Sequence, residues 1–492
     1  MNFHTRRFFN GFILTTQLSA CAVGPDYVRP TVPAAPEFKE LKGWKLAEPR
    51  DSGLPGKWWE IYNDPKLNEL EEQVAGANQS IAQAEAQYRQ AQHLVQSSQS
   101  SLLPVATLTG SFNHFKSATG QTQVISGVRN LFGQAVGVVW EPDLWGKVRR
   151  QLEANTDNAQ ASAASLHGVI LSSQTALAQN YFQLRVLDAQ KTLLDDTVVA
   201  YEKTLKITSN RYAVGVASKA DVVQAETQLR AAQAQAVDLG VQRAKLEHAI
   251  AVLIGKTPAE LALAQAPLTV APPEIPVNLP SELLERRPDI AVAERKVAAA
   301  NALIGVAKAA YFPTLNLAMT NGFQSPETDT LFAMARRYWA LGPAGLALTL
   351  FDGGVKNAQY QQAIAAHDAA LAAYRQTVLT GFQEVEDNLA ALRILEQEAQ
   401  VQKQAVASAE QALALTINQY KAGTVSYLNV MTSQTAALAN QQAALQLQGN
   451  CLVASVLLIK ALGGGWREQQ LPTPEQAAGD RQWTDYLILP TD

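Results

Sequence analysis

The sequence predicts a mainly α-helical fold with a smaller β portion, internally duplicated, and three observations carry that reading. Two stretches, Leu144 to Arg211 and Val355 to Gln419, contain no proline and are dominated by alanine, glutamine and leucine. Four short strand-like segments stand in pairs before those stretches. Two glycine-centred segments, Tyr212-Ala-Val-Gly215-Val-Ala-Ser218-Lys-Ala-Asp221-Val222 and Tyr420-Lys-Ala-Gly423-Thr-Val-Ser426-Tyr-Leu-Asn429-Val430, share Tyr, Gly, Ser and Val at an offset of 208.

The chain opens with Arg6 and Arg7, a short apolar region (Phe8, Phe9, Phe12, Ile13, Leu14) and small residues before a cysteine. That order predicts a signal peptide over residues 1–20. Leu18-Ser19-Ala20-Cys21 resembles the bacterial lipobox at all four positions, which implies that Cys21 receives a diacylglyceryl group and becomes the mature N-terminus. Ala22 rather than Asp follows it, which implies sorting to the outer membrane. More than one acyl chain makes such an anchor stable. Across residues 21–57, prolines at 25, 30, 33, 36, 49 and 55 exclude a helix and predict an extended tether.

A second correspondence joins Ser80-Ile81, Ala84-Glu85 and Pro104 to Asp289-Ile290, Ala293-Glu294 and Pro313 at an offset of 209. The period far exceeds the roughly 20–50 residues of solenoid repeats, so a domain-sized unit is duplicated. The first copy is expected over 58–266 and the second over 281–466, with a Pro-rich linker at 267–280 and a tail at 467–492. Each copy reads as a helix, two strands, one very long helix, a tight turn and a long return helix.

In the first strand Ala106, Leu108 and Phe112 alternate with Thr107, Thr109, Ser111 and Asn113; in the third Leu315, Leu317 and Met319 alternate with Thr314, Asn316 and Thr320. The fourth, Gly345 to Leu350, alternates more weakly, and the second, Leu131 to Trp140, has no clear face. Such alternation fits either a half-buried soluble sheet or a barrel with lipid outside and water inside. Four strands cannot close a transmembrane barrel, which needs about eight or more, so closure would take several chains.

Each long helix would extend about 100 Å at ~1.5 Å per residue. Leu166, Ile170, Leu177, Tyr181, Leu184, Leu187, Leu194 and Val198 keep the three-and-four spacing of a coiled-coil seam, a pattern that a plain antiparallel coiled coil also explains. Gly215 and Gly423 suit the left-handed residue that ends a helix. Ser218 with Asp221, and Ser426 with Asn429, then read as N-caps with a polar residue three positions on, so both segments are hairpin tips.

Net charge −4 and no long basic run argue against a nucleic-acid partner. Mean hydropathy is −0.08, and no run of about 18 apolar residues argues for a transmembrane helix. With only Cys21 and Cys451, no disulfide framework can be built, and Cys451 reads as a small buried thiol. There is no P-loop, His-Glu-x-x-His or Gly-x-Ser-x-Gly motif, and the six histidines lack metal-ligand spacing, so no catalytic residue, metal or cofactor is expected. Gly353-Gly354 reads as a turn between strand and helix.

The chain resembles the outer-membrane factors of the TolC and OprM type, in their NodT lipoprotein branch, from the lipobox to about Trp466. The markers are Trp58-Trp59, Asp64-Pro65 and Leu67; Trp140-Glu141-Pro142-Asp143-Leu144-Trp145-Gly146; Arg287-Pro288-Asp289-Ile290; Tyr311-Phe312-Pro313; Phe351-Asp352-Gly353-Gly354; and Lys460-Ala461-Leu462-Gly463-Gly464-Gly465-Trp466. The resemblance implies a homotrimer whose strands form a twelve-stranded membrane β-barrel, continued by an α-helical tunnel through the periplasm. It implies a passive exit duct for drugs or other small toxic compounds, with a periplasmic adaptor meeting the Gly215 and Gly423 tips and an inner-membrane pump supplying the energy. Leu428 falls where such channels narrow the periplasmic mouth with a leucine ring. Thr432 and Thr435 replace their aspartate and arginine, implying a gate closed mainly by Leu428 packing and dewetting, with weaker cation selectivity than in aspartate-ringed relatives. A type I protein-secretion duct, a metal-cation exporter and a non-conducting coiled-coil lipoprotein share parts of the pattern.

Overall fold

The computed structural model describes residues 22–32, 37–40, 56–116, 128–273, 275 and 285–480. The expected signal peptide, Cys21, most of the tether and part of the linker lie outside the described residues. A short 3-10 turn, Trp58–Tyr62, leads into α1 (Pro65–Ala77), capped by Asp64, whose Oδ1 accepts from Lys66 N and Leu67 N at 2.9 and 3.1 Å. The rest of the first copy is α2 (Gln79–Ser100), β1 (Val105–Lys116), β2 (Val128–Trp140), α3 (Lys147–Ala213) and α4 (Lys219–Leu253). The second copy is α5 (Pro288–Ala309), β3 (Thr314–Ser325), β4 (Arg337–Leu341), β5 (Gly345–Ala347), α6 (Val355–Ala422) and α7 (Tyr427–Ala461).

The duplication shows in the elements themselves. The long helices have 67 and 68 residues and the return helices 35 each. Both strand-to-helix junctions are built on an aspartate: Asp143 accepts from Val148 N and Arg149 N, and Asp352 from Gly354 N and Lys356 N. A carboxylate on free N–H groups at a helix start satisfies orphan donors and complements the dipole. Gly353-Gly354 is the expected turn.

The strands form one antiparallel sheet in the order β1-β2-β3-β4, with β5 on β3. The fourth strand departs from expectation. It begins earlier, at Arg337, opposite Met319 to Phe323, and resumes only at Gly345–Ala347 against Thr314 to Asn316; Leu348 to Leu350 lie outside any ladder. Gly342-Pro343 separates the pieces, and a proline there has no N–H to give a ladder. The ambiguous second segment is the best paired strand, bonded to β1 and β3 over most of its length. Its register puts Val136 and Val138 beside Leu108, Ala106 and Met319, so one face of the sheet is mainly apolar, interrupted by Gln134 and by Asn321 opposite Val136. The other face carries Thr107, Thr109 and Ser111 opposite Gly137, Ala135 and Gly133.

The helices pack as a four-wide wall, α2-α3-α5-α6 near the sheet and α4-α3-α7-α6 toward the tips. Between these halves lies the main core, a girdle of Trp58, Trp59, Tyr62, Leu67 and Leu70 against Leu177, Tyr181, Phe182 and Leu184 of α3, Leu389 of α6, and Leu452, Val456 and Ile459 of α7. The predicted seam residues Leu177, Tyr181, Leu184 and Leu194 are buried, and Leu166 and Ile170 are half-buried against them. Glu71 sits fully buried in this region with no hydrogen-bond partner among the described residues, and burial alone drives its carboxyl well above the usual range. Helix α7 is long and apolar enough to cross a membrane by composition, yet its C-terminal half is spent on this core.

Candidate functional site

The expected tip residues fall at two helix-to-helix turns and the expected gate residues in the first turns of α7; the described part of the tether arrives at the base of the sheet. At the first tip Gly215 takes φ +76°, Gly215 N donates to Tyr212 O and Val216 N to Arg211 O. At the second Gly423 takes φ +81°, Gly423 N donates to Tyr420 O and Thr424 N to Gln419 O. Both are Schellman endings, which satisfy carbonyls the helix leaves free and favour glycine at the left-handed residue.

The caps that restart the chain differ. Ser218 Oγ accepts from Asp221 N at 3.1 Å and Asp221 Oδ2 from Ser218 N at 3.0 Å, a complete capping box. Ser426 Oγ instead donates to Asn429 Oδ1 at 3.0 Å and makes no bond to the helix backbone. An amide three residues on competes with the backbone for the serine.

The tyrosines differ too. Tyr420 is buried and its hydroxyl donates to Thr208 Oγ1 at 3.1 Å. Arg211 Nη1 donates to Tyr420 O at 2.6 Å and Lys421 O at 3.3 Å, with its guanidinium 4.8 Å from the Tyr420 ring centroid. A cation on the last carbonyls of α6 caps that helix from a neighbouring hairpin. Tyr212 is exposed, with the Lys219 ammonium 5.6 Å from its ring centroid. Tyr427, whose ring meets Tyr420 edge-on at 6.0 Å, is buried, and that burial pushes its hydroxyl up to about 12. Sequence reasoning missed Arg211, Thr208 and Tyr427 as tip residues. A basic residue in the last helical turn was the available sign for Arg211; nothing local marks the other two.

Leu428, in the first turn of α7, is 54 % exposed and belongs to no buried cluster among the described residues. Thr432, one turn on, is also exposed and its hydroxyl donates back to Leu428 O at 2.9 Å. Thr435 likewise donates back to Met431 O at 2.9 Å and in addition accepts from Gln228 Nε2 at 3.1 Å, tying α7 to α4.

Cys21 lies outside the described residues, but its successor does not. A Cβ on Gly146 would come within 2.8 Å of Ala22, and Val23 N donates to Trp145 O at 3.0 Å. Gly24 lies so close to Gly305 that a side chain on it would sit 2.5 Å from that Cα. Asp26 pairs with Arg150 at 2.7 Å, Asn301 Nδ2 donates to Pro25 O at 3.0 Å, and the Tyr27 hydroxyl donates to Glu294. Arg295 joins Glu294 and reaches Asp157 at 3.4 Å; burial pushes the Asp157 carboxyl up to about 7, aided by Glu153 and Glu294 and opposed by Arg295. At this level Trp145 stacks on Phe312 at 4.8 Å, and Trp140 Nε1 donates to Leu102 O at 3.1 Å. The tether therefore starts where the sheet ends.

The model of the outer membrane efflux protein family matches residues 70–256 and again 279–464. The chain belongs to that family.

Known outer membrane efflux proteins match along nearly their full length. The toluene efflux pump outer membrane protein TtgC of Pseudomonas putida is 31% identical over 471 residues, 94% of this chain and 96% of the relative. The pyoverdine export outer membrane protein OpmQ of Pseudomonas aeruginosa is 30% identical, covering 92% of this chain and 96% of its own. The solved outer-membrane channel OprN superposes with a TM-score of 0.84 at 29% identity, over 91% of this chain and all of that one. This chain is likewise an outer-membrane efflux channel, its sheet in the membrane and its helices reaching into the periplasm.

Proposed function

We propose that three copies assemble into the exit duct of a tripartite pump for small toxic compounds, with no catalytic step of its own. One observation carries the reading: among the described residues the sheet stops at β1 on one side and at β4 and β5 on the other, with an apolar face exposed along Leu108, Phe112, Val136 and Met319. Open edges and a bare apolar face fit strands completed by other copies and by lipid. The polar face of Thr107, Thr109 and Ser111 then lines water, and the helical walls join into a tunnel. Light scattering in detergent is expected to give three chains, and purified protein to conduct in planar bilayers; a conducting monomer contradicts the assembly.

Cys21 carries the lipid in this reading, supported by Ala22 resting at the sheet base; labelled fatty acid should mark wild type and not Cys21→Ser. Tyr212, Gly215, Ser218 and Asp221 with Tyr420, Gly423, Ser426 and Asn429 shape the tips that meet the adaptor, which links the duct to an inner-membrane pump. The exposed Val216 and Thr424 are the contact points to test. Val216→Glu or Thr424→Arg should abolish adaptor cross-linking while the trimer persists.

A further inference from the structure

The two tips are alike in sequence and unlike in burial. Within one chain, the α6–α7 hairpin leans on α3: Tyr420 is 4 % exposed on Thr208, and Gln434 Nε2 donates to the buried Thr204 Oγ1 at 3.2 Å. The repeat offset names the counterpart of every residue in this seam. Tyr212 stands for Tyr420 and is 46 % exposed, while Val223 stands for the half-buried Met431 and is 50 % exposed. On the receiving side, Thr416 and Ala412 of α6 stand for Thr208 and Thr204, and neither is buried. Leu415 stands for the half-buried Ile207 and is 56 % exposed. The donor face is exposed and the receiving face largely so, Thr416 being half-buried and accepting from Ser433 Oγ at 3.2 Å with a lone pair left over, and the two lie at opposite edges, α4 and α6, of the wall α4-α3-α7-α6. They cannot meet within one chain.

Resting on the proposed assembly, we infer that a second copy closes this seam in the register of the first: Tyr212 of one copy seats on the partner subunit's Thr416 and Gln419. The hydroxyl pair is kept, Tyr212 donating to Thr416 as Tyr420 does to Thr208. The charge is not. Gln419 takes the place of Arg211, so the seam between copies lacks the charge-assisted bonds to the helix-end carbonyls, and such bonds are about twice as strong as neutral ones. Lys219 replaces Tyr427, removing the edge-on ring pair. The mouth is therefore ringed by seams of two strengths in alternation, with the weaker ones between copies.

Replacing Tyr212 by the photo-reactive p-benzoyl-phenylalanine in the full chain tests the register. Irradiation should give covalent dimers and trimers on a denaturing gel, with the joined peptide falling within residues 412–419. The same replacement at Tyr420 should join residues 204–211 without adding a chain. Products confined to one chain, or joined outside 412–419, in a sample that light scattering shows to be trimeric overturn the register and leave the assembly standing. A monomeric sample overturns both. Gln419→Arg, a gain that misfolding does not imitate, should raise the temperature at which detergent-solubilised trimers separate; an unchanged or lower temperature counts against the seam.

Discussion

The girdle and the sheet are built on opposite terms. In the girdle Trp58, Tyr181, Phe182, Leu67 and Leu70 are shut away from solvent by groups of the same chain. Every residue of β1 is exposed on both faces. The girdle is a core in the ordinary sense, whereas the sheet is one part of an object whose other surfaces are lipid, water and further copies. Substitutions should therefore act on the fold of one chain at the girdle and on insertion and assembly at the sheet.

The largest effect belongs to the girdle. Phe182→Ala empties a site packed by Tyr62 at 4.9 Å and Tyr181 at 5.8 Å, and should cost about 3–5 kcal/mol of stability. Helical signal in detergent, followed against denaturant, would show it; a midpoint as high as wild type would break the contrast. Next comes the lipid face. Phe112→Lys places a charge where Phe112 now meets Phe132 at 4.9 Å, and the cost is about 2–4 kcal/mol near the bilayer midplane. It should appear as loss of membrane insertion with helical content kept. Thr109→Lys, on the other face and one strand position from Gly110, should insert normally.

Protons act at a smaller scale, in the girdle and in the helix beneath the tether. An acid that is harder to ionise folded than unfolded adds stability fully present below the ordinary carboxylate range and lost as pH rises through its folded value. Asp157, pushed up to about 7 beneath the tether, and Glu71, raised by burial in the girdle, both have this sign. The thermal midpoint should thus decline as pH rises from about 4 through 7 on Asp157's account and further on Glu71's. Asp157→Asn should flatten the first part of that decline and Glu71→Gln the remainder. A slope unaltered in both variants removes these carboxyls as its cause.

Much of this was legible because the signals were local and repeated. The absence of proline over sixty or more residues set α3 and α6, and glycine with serine set the tips. The second strand was opaque because Gln134 interrupts its apolar face and Leu131 and Val139 occupy the other, a mixture suited to a strand paired on both sides. The fourth was misplaced because alternation in Gly345 to Leu350 outweighed Gly342-Pro343, which divides the pairing. The tip partners of Tyr420 were out of reach, since Thr208 and Arg211 approach it from another hairpin.

The smallest effect on stability is expected at Leu428, and there function should respond most. Burial explains a leucine that packs, and this one is 54 % exposed and joins no buried cluster among the described residues. Repeated by assembly, it would ring the mouth with apolar groups that expel water from a narrow passage. Thr432 gives such a ring no charge, and its hydroxyl is already engaged with Leu428 O. Leu428→Ala should leave unfolding within about 0.5 kcal/mol of wild type, as exposed positions do, and clearly raise single-channel conductance. Thr432→Asp should leave stability equally untouched and shift selectivity toward cations, since a ring of carboxylates attracts them. Conductance and selectivity unchanged in both would place the constriction elsewhere along the tunnel, and Leu428 would then be a residue awaiting the neighbouring copy, as Tyr212 is.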